Sequence, residues 1–125
     1  MNLIEIREQF RNESGRYDLV NDDFSDNGAD VYINEAVKWL DSKIDKGDLH
    51  RETDLWSSPA LVNDTDTNFW SENYPLILVQ ATIFKTATGN RPLMKSYSDS
   101  LAESIKSVDM DLVERQVARS DQMEG

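Results

Sequence analysis

The sequence predicts an all-α fold, a compact bundle of about four helices around a central apolar helix. A long irregular connector and an extended C-terminal segment complete it. Three observations predict this arrangement. The run Pro75-Leu76-Ile77-Leu78-Val79-Gln80-Ala81-Thr82-Ile83-Phe84 is the most apolar in the chain and is apolar in nearly every direction around a helix. Such a helix expects neighbours on most sides. Three other segments each carry one apolar stripe at steps of three and four residues. Glycine, proline and asparagine stand where these segments should start and stop. A strand over Leu76 to Val79 is the alternative for so short an apolar run, but the length of the pattern and its punctuation favour a helix.

Each element has its own justification. The first helix is expected from Leu3 to Asn12, with Leu3, Ile6 and Phe10 on one face, Arg7 flanking them, an Asn2–Glu5 capping box at its start and Gly15 at its end. Arg16 to Gly28 is a polar connector offering Leu19, Val20 and Phe24 as anchors. The second helix is expected from Ala29 to Lys46, capped by Asn27 and ended by Gly47. Its stripe is Ile33, Ala36, Val37, Leu40 and Ile44, widened by Tyr32 and Trp39.

Asp48 to Thr65 shows no sustained period, and Leu55-Trp56 and Leu61-Val62 are its expected core contacts. Phe69-Trp70 should form a short helical turn that breaks before Pro75. Asn73 is the expected cap of the central helix, with Pro75 in its first turn and Gly89-Asn90 as its stop. The last helix opens at Pro92, and Met94, Tyr97, Leu101, Ile105, Val108 and Leu112 form its stripe. It runs to Val117 or frays near Asp109-Met110-Asp111, and Ser120 to Gly125 reads as a tail. The implied division is a helical domain over 1–108 and a C-terminal segment over 109–125.

Composition narrows the function classes. The 125 residues suffice for one domain with one modest core. Acidic residues number 24 against 13 basic ones, a net charge of −11. That balance argues against a nucleic-acid groove binder, which must neutralise phosphates, and against an anionic membrane surface. It suits a wall that DNA slides past without sticking, although many acidic surfaces serve solubility alone. The chain has no cysteine, so disulfides and thiolate zinc sites are excluded. No apolar run approaches a membrane span, and MNLIEIREQF lacks a signal-peptide core, so a soluble compartment of intracellular type is expected.

Catalytic chemistry has little to stand on. The single His50 sits among Asp48, Glu52 and Asp54, without the further His or Cys that a metal set needs, and reads as part of a solvated loop. Asp23, Ser25, Asn27 and Gly28 match the opening of a calcium loop, but Asp30 and Asn34 fall where an apolar residue and a bidentate Glu belong. An acidic turn ahead of the second helix is the better reading. Asp99, Glu103, Asp109, Asp111 and Glu114 read as a solvated helix face. There is no glycine-rich phosphate loop and no nucleophile elbow, so neither an enzyme nor a bound cofactor or metal is expected. Trp39, Trp56, Phe69, Trp70, Tyr74 and Tyr97 belong to the core or to an oligomer interface. Val113, Arg115, Val117, Arg119 and Met123 near the C-terminus are the candidate partner-binding residues.

Three segments together resemble one known family. Ser14-Gly15-Arg16-Tyr17-Asp18-Leu19-Val20, followed by Ala29-Asp30-Val31-Tyr32-Ile33-Asn34-Glu35-Ala36-Val37-Lys38-Trp39-Leu40-Asp41, is similar to the amino-terminal half of head-to-tail adaptor (connector, or head completion) proteins of tailed bacteriophages. Asn63-Asp64-Thr65-Asp66-Thr67-Asn68-Phe69-Trp70 and Glu72-Asn73-Tyr74-Pro75 resemble that family's Thr-Asn and Glu-x-x-Pro segment ahead of an apolar helix. Pro92 to Leu101 is the third, with Tyr97 and Leu101 where the family often has an aromatic and a leucine. The likeness covers roughly residues 3–46 and 63–108. Where longer members carry strands, this chain has only Asp48 to Val62.

The resemblance implies a structural protein of the virion, made in the host cytoplasm and placed at the head–tail interface. Copies would form a homo-oligomeric ring, typically a dodecamer, beneath the portal protein. The ring would extend the DNA channel, with DNA passing through the lumen without specific binding, and would present a platform to tail or nozzle proteins. Asp109 to Gly125 would reach the portal and order on assembly, which makes Val113, Arg115, Val117, Arg119 and Met123 the candidate portal contacts. The competing expectation is a free acidic binding protein, either a DNA mimic or a small regulator. A hydrolytic enzyme is a third, and it requires a pocket that gathers two or more of the carboxylates.

Overall fold

The fold is known from a computed structural model that describes residues 1–44, 58–87 and 89–124, with backbone alone at 112, 113 and 115–124. Five helices are present among them: α1 (Leu3–Ser14), α2 (Ala29–Lys43), α3 (Phe69–Asn73), α4 (Pro75–Thr86) and α5 (Arg91–Glu124). The only extended pairing among the described residues is an isolated bridge between Val20 and Asp26. The all-α expectation holds. No helix among these residues is long and apolar enough to cross a membrane.

The apolar run is the centre of the bundle, and α4 packs against α1, α2, α3 and α5. Leu78, Val79, Ala81, Thr82 and Ile83 are buried on it, and the Thr82 hydroxyl is satisfied by donating to the Leu78 carbonyl at 2.8 Å. The predicted stripes face it. Leu3, Ile6 and Phe10 come from α1, and Ile33, Ala36, Val37 and Leu40 from α2, with Ile44 just past its end. Leu101, Ile105 and Val108 come from α5. Burying such side chains stabilises by about 1.5–3 kcal/mol each. The surround is incomplete at the start of α4, where Leu76 is 54% exposed.

The helix ends differ from expectation in instructive ways. α1 starts on the predicted Asn2–Glu5 capping box, runs two residues past Asn12 and stops at Gly15, whose φ of 69° is left-handed. α2 is capped at Gly28, not Asn27. The Asp26 carboxylate accepts the N–H groups of Gly28 and Asp30, at 2.9 and 3.0 Å, and so does the work assigned to Asn27. Gly28 has φ 118°, and a Cβ there would lie 3.2 Å from the Leu19 side chain, so glycine is favoured twice over. α2 ends at Lys43 rather than Lys46, because Ile44 turns extended and drops its side chain into the core. Gly47 lies outside the described residues.

Asn73 is not the cap of α4. It closes α3, donating from its amide to the Phe69 carbonyl, and Tyr74 takes the capping position without a side-chain bond. Pro75 does occupy the first turn, and Tyr74 leaves the helical region as a residue before proline must. α4 stops at Thr86, before Gly89, and Asn90 starts the next helix by accepting the Leu93 N–H at 3.2 Å. α5 opens at Arg91, one residue before Pro92, and runs unbroken through Asp109-Met110-Asp111, Val117 and Ser120 to Glu124. The backbone of residues 120–124 thus continues the helix where a tail was expected, and Gly125 lies outside the described residues.

Candidate assembly surfaces

The segment that carries the Thr-Asn and Glu-x-x-Pro motifs is a hydrogen-bonded block. Asn68 caps α3: its Oδ1 accepts the Ser71 N–H at 3.0 Å, while the Ser71 hydroxyl accepts the Asn68 N–H at 2.8 Å. Its amide also donates to the Pro59 carbonyl at 3.0 Å. Thr67 donates to Glu72 at 2.7 Å. Asp66 accepts the N–H groups of Asn63 and Val62, which holds its carboxyl below the usual value. The Asp66 and Asp64 carbonyls accept the N–H groups of Leu3 and Ile4, satisfying donors that the first turn of α1 leaves open. The motif thus reads physically as a clamp on the start of α1 and the approach to α4.

Two buried polar nodes tie this block to the rest. Arg7, 3% exposed, forks onto Asp30 with two bonds of 2.7 Å and donates to Asp64 at 2.6 Å and to the Phe24 carbonyl at 3.3 Å. Hydrogen bonding to Asp30 chiefly, against the opposing effect of burial, raises its pKa further. Asp41, on α2, accepts the Trp70 indole N–H at 2.7 Å and the Ser58 N–H and hydroxyl at 2.8 and 2.9 Å. Asn34 adds a third tie, exchanging two hydrogen bonds with the backbone of Leu61, at 2.8 and 2.9 Å. Leu61 is buried, whereas its neighbour Val62, also expected to touch the core, is 67% exposed. Leu55 and Trp56 lie outside the described residues.

The calcium-like turn is occupied by its own chain. Asp23 accepts the Ser25 hydroxyl at 2.6 Å and its N–H at 3.0 Å, which lowers the Asp23 pKa, hydroxyl first. Asn27 donates to the Asp18 carbonyl, Asp30 is committed to Arg7, and Asn34 to Leu61. No group of three or more metal-ligating side chains is gathered among the described residues. His50 lies outside them, as do its neighbours Asp48, Glu52 and Asp54. Arg16 forks onto Asp18, raising the arginine pKa and lowering that of the carboxyl, and also donates to the Thr86 carbonyl at the end of α4.

α5 carries the partner-binding candidates. Val113, Arg115, Val117, Arg119 and Met123 fall on its backbone beyond Asp111, and their side chains lie outside the described residues. The expected solvated carboxylate face is corrected at two positions: Asp109 and Asp111 are only half-exposed, and Asp111 accepts a hydrogen bond from the Tyr74 hydroxyl. Glu103 and Glu114 are exposed, in line with Ser107 and with Met110, which is 66% exposed. Met94 and Tyr97 are half-buried.

Where the C-terminal end of α2 meets α5 there is a shallow groove of about 250 Å³, lined by Trp39, Lys43, Ser98, Ala102 and Ile105. The ring of Trp39 packs on Phe84 with centroids 5.4 Å apart. The Lys43 and Lys85 ammonium groups lie 5.7 and 5.3 Å from its centroid.

Sequence reasoning missed Arg7, Asp41, Asn34 and the Trp39 groove as organising features. Arg7 left a trace, since a cation inside the stripe Leu3, Ile6, Phe10 demands a carboxylate. The others depend on long-range partners that no local pattern announces. No protein-family model, no curated protein and no solved structure matches the chain.

Proposed function

We propose that this chain is a structural virion protein that assembles as a ring between portal and tail, extends the DNA channel and offers a platform for tail attachment. The observation that carries the reading is the disproportion of α5. At 34 residues the helix is about 51 Å long, whereas a compact globule of this chain length, with a radius of gyration of about 14 Å, is only about 36 Å across. Its buried positions stop at Val108 among the side chains described, and the backbone continues as helix to Glu124. A helix that outruns the domain anchoring it suits an assembly part that reaches a neighbour.

The motif resemblance supports the same reading, because its residues form the clamp between α1, α3 and the approach to α4. The net charge of −11 supports it too, since an acidic lumen repels phosphate and lets DNA pass without binding. In this reading the protein has no catalytic role, and residues 109–125 carry the portal contact. The test is mass photometry of the purified protein, alone and with the portal protein. Rings, or a portal complex of ring stoichiometry, are expected; a small species that persists in both mixtures overturns the reading and favours a free acidic binding protein.

A further inference from the structure

Two stripes of opposite chemistry lie on α5. The first continues the Trp39 groove: Arg91, Lys95, Ser98, Ala102 and Ile105 step by four and three residues and share one face. Lys43 from the last turn of α2 and Lys85 from the last turn of α4 flank the half-buried Trp39, and Arg91 and Lys95 lie on the same face of α5 as Ser98 and Ala102, toward its start. Among the described residues no ion pair engages Lys43, Arg91 or Lys95, whereas Arg7, Arg11 and Arg16 are each paired within the domain. Ser98 and Ala102, both exposed, line the groove with small side chains, which leaves room for an apolar side chain from outside.

The second stripe is Glu103, Ser107, Met110 and Glu114, again at steps of four and three, and all four are exposed. It places one bare methionine between two carboxylates, with the exposed Lys106 to one side of it, and faces outward as a match for an apolar groove of small side chains rimmed by ammonium groups. The lengths agree as well, about 16 Å from Glu103 to Glu114 against about 21 Å from Arg91 to Ile105. We propose that the Glu103–Glu114 stripe of one copy docks in the Trp39 groove of a second copy, with Met110 over Ser98 and Ala102 and the carboxylates against Lys43, Lys85 and Lys95. Because the two surfaces differ, the contact is head-to-tail, the kind that closes into a ring when the rotation allows. The choice of a second copy as partner rests on the ring reading given above.

The experiment is a charge swap followed by analytical ultracentrifugation of the full chain. One variant carries Lys43→Glu and Lys95→Glu, the other Glu103→Lys and Glu114→Lys; all four positions are on the surface, so circular-dichroism melting should match the parent. Each variant alone is expected to self-associate at least ~10-fold more weakly than the parent, and mixing the two should restore assembly, since each groove then meets a stripe of opposite sign. Variants that assemble like the parent, or a mixture that stays dissociated, overturn this interface and leave the ring reading standing. A parent chain that never associates, even with the portal protein, overturns both.

Discussion

The indole N–H of Trp70 donates to Oδ1 of Asp41 at 2.7 Å, with the tryptophan fully buried and the aspartate nearly so. That bond joins α3 to α2, and the other two bonds to the same carboxylate fix Ser58 where the described chain resumes. Asp41→Ala leaves three donors without their acceptor and should cost about 2–4 kcal/mol, since an unsatisfied buried polar group costs about 1–3 kcal/mol. Urea denaturation measures this, and a loss below about 0.5 kcal/mol would count against the role assigned here.

Arg7 should be less replaceable than its place in an apolar stripe suggests. Arg7→Ala strands Asp30 and should cost about 2–3 kcal/mol, below the full penalty for a buried pair because Asp64 is 59% exposed. Arg7→Lys should recover less than half of that, because an ammonium cannot fork onto Asp30 while reaching Asp64. Equal stability of the lysine variant and the parent in the same denaturation series would show that geometry is unimportant there.

The central helix gives the packing prediction. Leu78 and Ile83 are buried, so Leu78→Ala and Ile83→Ala should each destabilise by about 2–5 kcal/mol. Leu76→Ala, at an exposed position on the same helix, should stay within about 0.5 kcal/mol of the parent. Thermal melts of the three variants separate a buried core helix from one that is merely apolar.

Acid should loosen the connector block. The Asp66 carboxyl titrates below its ordinary 3.8 because the Asn63 and Val62 N–H groups bond its ionised form, and Asp23 is lowered by Ser25. A folded pKa below the unfolded one contributes stability that is present above the unfolded value and lost as pH falls through the folded value. Arg7, raised instead, stays cationic throughout this range. Melting temperature should therefore hold from neutral pH and fall below about pH 4, and Asp66→Asn should flatten that fall. A variant whose acid limb is as steep as the parent's would remove Asp66 from the account.

Truncation separates anchor from arm. Removing residues 112–125 keeps Val108 and the Tyr74–Asp111 bond and should leave the melting temperature within a few degrees of the parent; under the proposed ring function it should also abolish binding to the portal protein. Removing residues 109–125 also takes Asp111 and should lower it measurably. Normal portal binding by the shorter truncation would move the docking site elsewhere on the domain.

What the sequence made legible was whatever is local or periodic. The stripes of α1 and α2, the Leu101, Ile105 and Val108 part of the α5 stripe, the Asn2–Glu5 box and the apolar α4 depend on spacing alone; they form as read, save that Met94 and Tyr97 are only half-buried and Leu76 is exposed. The misplaced caps at Asn27 and Asn73 have one cause, a choice between neighbouring polar residues that only backbone geometry settles: Asp26 reaches Asp30, and Pro75 forces Tyr74 into the capping place. The partners of Asp41, Asn34 and Arg7 were invisible for another reason, although Arg7 itself stood out in its stripe. They lie 29, 27 and 57 residues away at the farthest, in segments that show no period. The candidate surfaces share that fate, since the groove exists only where α2 meets α5.

Tyr74 ends α3, precedes Pro75 and holds Asp111 through its hydroxyl, so a single side chain braces the fulcrum of a lever. From Asp111 to Glu124 the helix extends about 20 Å, and a tilt of about 10° at the brace carries its far end about 3 Å sideways. That is several times the displacement, less than about 1 Å, that separates a formed hydrogen bond from a broken one. The direction of this length of helix is therefore set at its root, by one phenol and one carboxylate.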